Sequence, residues 1–133
     1  MAASDDDKTE LAAERTDFAE DRTILANERT YAGWMRTGLA AVGVGVGFNA
    51  LFGKMEPAWA PKAIATLLLA IAIFIFAAAE RRACSVISRL KTHEVETVRI
   101  GNLRLITAGL ILATLGLIAA FWLARTSSEG AGL

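Results

Sequence analysis

Four arginines in the first third of the chain stand at a fixed interval of seven. They are Arg15, Arg22, Arg29 and Arg36, set in the units Glu14-Arg15-Thr16, Asp21-Arg22-Thr23, Glu28-Arg29-Thr30 and Met35-Arg36-Thr37. A guanidinium is permanently charged and grips phosphate or carboxylate with a planar fork of N–H donors. Leu11, Phe18, Leu25, Ala32 and Leu39 keep the same period, so on a helix the arginines and these apolar residues share one face. Residues three and four apart touch on a helix. For Arg15 these are Leu11, Ala12, Phe18 and Ala19, and the sets around Arg22, Arg29 and Arg36 are equally free of acids. Glu14, Asp21 and Glu28 directly precede three of the arginines and point about 100° away. The sequence therefore gives none of the four guanidiniums a partner on its own helix.

Three kinds of chemistry fit such a stripe. A basic amphipathic helix can lie on anionic lipid. A coiled-coil edge can pair Asp21 or Glu28 of one chain with an arginine of the next. Rings of arginine around a shared axis can select anions or phosphate, with Arg15, Arg22, Arg29 and Arg36 lining the path. The last two coexist in a symmetric homo-oligomer. Arg36 is the most telling, because it lies a turn inside an apolar block, a place tolerated only if the side chain snorkels or faces a polar interior.

The elements that must carry these residues are three apolar blocks. Thr37–Phe52 has no charge in 16 residues, Ala63–Ala79 none in 17 and Leu105–Leu123 none in 19. A helix needs about 20 apolar residues to cross a bilayer core, with a range near 17–25. With their flanks, the blocks predict spans over 31–52, 60–80 and 104–124. The alternation of Gly43 to Gly47 with valine suggests a strand, but a lone strand cannot cross lipid with its backbone unpaired, so helix is expected there too. Read as a helix, Gly43 and Gly47 form a GxxxG pair with Gly38 as a further small position, a packing surface for close helix approach. The stripe runs into this region, which predicts one long first helix from about Thr9 to Phe52. Pro57 and Pro61 mark the turn Gly53–Lys62, and Trp34, Trp59 and Trp122 fall near block ends, as interfacial aromatics do.

Composition narrows the class further. The 133 residues are 54% hydrophobic before the 11 glycines are counted, against roughly 45–50% with glycine in a soluble domain. This excludes a disordered chain. One cysteine, Cys84, excludes a disulfide scaffold. A net charge of zero argues against nucleic-acid binding. Lys8, Arg15, Arg22, Arg29 and Arg36 before the first span, with Arg81, Arg82, Arg89, Lys91, Arg99 and Arg104 between the second and third, outweigh Lys54, Lys62 and Arg125 on the other side. The positive-inside rule then puts the N-terminus in the cytoplasm and the C-terminus outside, periplasmic or extracellular. The acidic start, residues 1–10, does not read as a signal peptide and is expected to be a disordered tail; residues 126–133 are expected to be flexible.

Ala26-Asn27-Glu28-Arg29-Thr30-Tyr31, followed by Trp34-Met35-Arg36-Thr37-Gly38-Leu39-Ala40, resembles the signature of the YidH-like family, small three-span membrane proteins long filed as a domain of unknown function. The pattern is also similar to the small membrane subunit of the vacuolar transporter chaperone, a polyphosphate polymerase complex. That resemblance implies a five-fold ring of three-span units with basic residues at the cytoplasmic mouth of the first helix guiding polyphosphate. Carried over, Arg29 matches the motif's own arginine and Arg22 a basic position seven before it. Arg82, or its neighbour Arg81, matches a third near the end of the second span, and Glu28 matches the acid that braces a neighbouring chain. The sequence departs from the complex in carrying no polymerase or polyphosphate-sensing segment, so synthesis is not the expected activity.

Other candidates for chemistry are weaker. His93 stands alone and, with a single cysteine, gives no metal set, so neither metal nor cofactor is expected. Cys84 reads as a small packing residue or a lipidation site. Ser85 and Ser88 have no base partner, which argues against an enzyme. Glu80, at the end of the second span, is expected to pair with a basic neighbour or cap the mouth. The expected protein is all-α: an integral membrane protein with three transmembrane helices in a bacterial inner membrane. Its first helix extends into the cytoplasm, and it assembles as a homo-oligomer, with a pentamer favoured. It is expected to act as an arginine-lined anion or polyphosphate conduit, or as a non-conducting scaffold that binds a partner or anionic lipid through the same stripe.

Overall fold

The computed structural model describes residues 4–89 and 95–130, with side chains described over 4–89 and 101–124. Three helices follow one another: α1 Asp5–Phe52, α2 Trp59–Arg89 and α3 Val95–Gly130. All three are long and apolar enough to cross a membrane, as the blocks predict. The 48 residues of α1 make a rod of about 70 Å at 1.5 Å per residue, more than twice the roughly 30 Å of a bilayer's apolar core.

The helix begins at Asp5, four residues earlier than expected, and the acidic run is its first turn rather than a disordered tail. Ser4 supplies the cap. Its Oγ accepts from the Asp7 N–H at 3.3 Å, and the Asp7 carboxylate accepts from the Ser4 N–H at 3.3 Å. Asp5, Asp6 and Asp7 then sit at the positive end of the helix dipole. The Gly43–Gly47 stretch is helical, as backbone satisfaction in lipid demands. The turn is shorter than predicted, because α2 opens at Trp59 and takes Pro61 into its first turn, where a missing N–H costs nothing. The end also differs: α3 is helical to Gly130, where the sequence suggested a flexible tail from 126. Lys91 and His93 lie outside the described residues.

The middle helix carries the core. Ala65, Leu69, Ala72, Phe76, Ala79, Ala83 and Ile87 recur at alternating steps of mostly four and three and are buried between α1 and α3. Met35 of α1 joins Ala72, Phe76 and Ala79 in one cluster, with Tyr31, Val42, Leu110 and Ile111 packed around it. Lipid is as apolar as leucine, so small residues matter here for close approach and van der Waals contact rather than for escape from water. Gly38 shows why. A Cβ built there would overlap the edge of the fully buried Phe76 ring, with Cδ1 at 2.7 Å and Cζ at 3.0 Å.

Polar side chains pin the helices at three levels. The Tyr31 hydroxyl lies 2.9 Å from Thr107 Oγ1, which is fully buried on α3, and donates to the Leu103 carbonyl at 3.4 Å. Trp122 Nε1 donates to Thr66 Oγ1 at 3.3 Å, joining α3 to the start of α2. Near the opposite end of α2, Glu80 pairs with Arg104 of α3 at 3.4 Å, the basic neighbour its position suggested.

Candidate functional site: the arginine face of the first helix

On a helix of about 100° per residue, Met35, Gly38, Val42 and Gly45 of α1 point toward α2, while Arg15, Arg22, Arg29 and Arg36 point nearly the opposite way, about 170° round. The exposures agree: the first set is buried or half-buried and all four arginines are exposed. None of the four has an ion pair or hydrogen bond among the described residues. Among the described residues, the stripe is therefore neither covered nor neutralised by α2 or α3.

Its two flanks differ. Four residues before each arginine, about 40° to one side, stand Leu11, Phe18, Leu25 and Ala32. Three before it, about 60° to the other side, stand Ala12, Ala19, Ala26 and Gly33. The large residues are bare: Leu11 is 53% exposed, Phe18 67% and Leu25 62%. The threonine following each arginine is quiet, since Thr16, Thr23, Thr30 and Thr37 each donate to the carbonyl four residues back. Arg15 and Arg22 border one shallow hollow with Phe18 and Ala19 between them.

The other site residues separate. Arg82 does not join the stripe: it borders a different hollow, a crevice of about 430 Å³ between α1 and α2 whose wall also includes Asn27, Thr30, Tyr31 and Trp34. Asp21 is exposed and free of ion pairs among the described residues, whereas Glu28 is half-buried and already engaged within the chain. The glycines divide as well. Within the chain, Gly38 packs on Phe76, while Gly43 and Gly47 meet nothing within 4 Å. The second close approach within the chain is instead Gly45, whose Cβ would lie 3.3 Å from the Ala65 carbonyl oxygen and from Leu68 Cβ. The GxxxG register and the intramolecular register differ because Gly38 and Gly45 are seven apart and face α2, while Gly43 and Gly47 continue the arginine face.

Two positions gain roles that composition did not assign. Tyr31 ties α1 to Thr107 of α3, and Asn27 Nδ2 donates to the Ala83 carbonyl at 3.4 Å, tying α1 to α2. Both are polar side chains inside the Ala26–Tyr31 motif, and their position on the α2-facing side of the helix is the signal that marks them.

Three long apolar helices, bare leucines and phenylalanines along their outer faces, and polar pins inside define a small three-span helical membrane protein. The chain belongs to the family described as "Domain of unknown function (DUF202)", whose model matches residues 22–89, from the second stripe arginine to the end of α2. No curated protein and no solved structure matches it.

Proposed function

We propose that copies of this chain assemble around an axis lined by the arginine face of α1, forming an anion conduit in a bacterial inner membrane rather than an enzyme. The observation that carries this is the bare stripe, without an ion pair among the described residues, directly opposite the chain's own packing face. Residues 5–19 of α1 are all exposed, and an isolated helix of that length is marginal in water, so this arm needs a neighbour. Lying flat on lipid suits it poorly, since α1 is one unbroken helix and its N-terminal half continues the line of the membrane-crossing half.

A second copy fits the unlike flanks. The large flank of Leu11, Phe18 and Leu25 can seat on the small flank of Ala12, Ala19 and Ala26 of the next copy. Such a contact joins two different surfaces and closes into a ring when repeated. Arg15, Arg22, Arg29 and Arg36 then face the axis, with Glu14 and Asp21 toward the contacts. Gly43 and Gly47 leave room for close approach deeper in the membrane. The eleven basic residues on one side favour a cytoplasmic N-terminus. The resemblance to the vacuolar transporter chaperone subunit favours five copies and makes polyphosphate the leading anion.

Liposome flux tests this. Arg22→Glu with Arg29→Glu is expected to abolish or invert anion preference, and unchanged selectivity would overturn the conduit. A scaffold is the second reading, favoured by Leu39, half exposed just beyond Arg36 on the same side. It predicts the same assembly with no flux, the axis being closed by Leu39.

A further inference from the structure

The crevice between α1 and α2 lies where both helices change from apolar to charged. Arg82 follows the last uncharged residue of the α2 block by three positions, and Trp34 stands at the start of the apolar part of α1. Among the described residues, the wall holds one cation, Arg82, and no acid. Arg82 and the Trp34 indole N–H have no partner among the described residues, so both are available as donors. The remaining wall is made of Ala26, Ala79, Ala83 and Val86, with Thr23 at its edge, the threonine hydroxyl donating to its own helix. A second hollow, of about 410 Å³, shares Thr30 and Trp34 with the first and continues along α1 past Gly33 to Thr37, into the apolar span. Donors at the charged level, beside a hollow whose two threonine hydroxyls are taken up by their own helix, match a group that is phosphate at one end and hydrocarbon at the other.

We propose that this crevice binds the phosphodiester headgroup of an anionic glycerophospholipid, with Arg82 and Trp34 donating to the phosphate and an acyl chain running along the Gly33–Thr37 hollow. Both donors come from one copy, while Ala26 and Gly33, on the flank that a neighbouring copy would meet, border the two hollows, so in a ring the lipid would sit at the edge of the contact between copies. Free phosphate shares the headgroup chemistry but has no use for the lower hollow.

The test uses the full chain in nanodiscs of equal parts phosphatidylglycerol and phosphatidylcholine, released into the gas phase for native mass spectrometry. Retained phosphatidylglycerol is counted per copy. Arg82→Gln is expected to lower its retention roughly tenfold, the loss of a charge-assisted hydrogen bond. Arg81→Gln, which removes another exposed charge from the adjacent position, should leave it unchanged. Trp34→Phe, which keeps the ring and deletes the donor, should give a smaller loss. Equal losses in the Arg81 and Arg82 variants would overturn the site in favour of general surface attraction. So would equal retention of phosphatidylcholine, or displacement of the lipid by millimolar inorganic phosphate, which would make free phosphate the ligand. Unchanged helicity and mobility of the Arg82→Gln chain separate loss of binding from loss of fold.

Discussion

Replacing Gly38 by alanine adds one methyl group at the tightest point between α1 and α2. That carbon would fall within 2.7 Å of Phe76 Cδ1 and 3.0 Å of Cζ. The ring has nowhere to swing, because Phe76 is fully buried among Met35, Ala72 and Ala79. Forcing a methyl group into a packed core costs about 1–3 kcal/mol. Alanine also favours helix over glycine by about 1 kcal/mol, which hides part of the loss. Gly109→Ala on α3 supplies the reference, since a Cβ there meets nothing within 4 Å and carries the same helix gain. The difference between the two variants isolates the steric cost, so Gly38→Ala should be the less stable by about 1–3 kcal/mol in denaturant titration of the detergent-solubilised protein. Adding Phe76→Leu, which shortens the opposing side chain, should recover a large part of the difference. Equal stability of the Gly38 and Gly109 variants would refute the α1–α2 packing described here.

Tyr31→Phe removes the hydroxyl that joins α1 to Thr107 and should destabilise the protein by about 0.5–1.5 kcal/mol in the same titration, leaving helix content unchanged. Glu80→Gln breaks the pair with Arg104, and because the arginine is mostly exposed its cost should stay below about 1 kcal/mol and shrink in high salt. Ser4→Ala should fray the first turn, seen as faster amide exchange at Asp7 and Lys8, at a cost of about 1 kcal/mol. Gly43→Leu with Gly47→Leu should leave the protomer's helices intact but disrupt the assembly, read by size-exclusion with light scattering.

Much of this architecture is legible in the sequence because lipid imposes strong rules. Uncharged runs of 16 to 19 residues can only be helices there, and the alternating Gly43–Gly47 stretch obeys that rule against its own period. The stripe's isolation is legible too, since neighbours at three and four residues follow from helix geometry alone. What is not legible is which side of α1 meets α2. The period of seven places Gly38 and Gly45 on one face and Arg36, Gly43 and Gly47 on the other, and both faces carry small residues. Only the bulk of Phe76 opposite Gly38 decides between them. The start of α1 was hidden for a different reason: three successive aspartates read as a solvated tail until Ser4 and Asp7 close a capping box. The place of Arg82 is not legible for a further reason: it stands on another helix, so the crossing geometry sets where it lies, and within one chain it borders the α1–α2 crevice.

In the proposed assembly, the arginine face of α1 meets further copies of the same chain. Native mass spectrometry of the protein released from lipid nanodiscs measures this directly, by counting chains per particle. A single closed homo-oligomer, five-fold by the favoured reading, that falls to monomer when Phe18 and Leu25 are replaced by glutamate is the expected result. A wild-type protein that flies as a monomer under the same conditions would contradict the account.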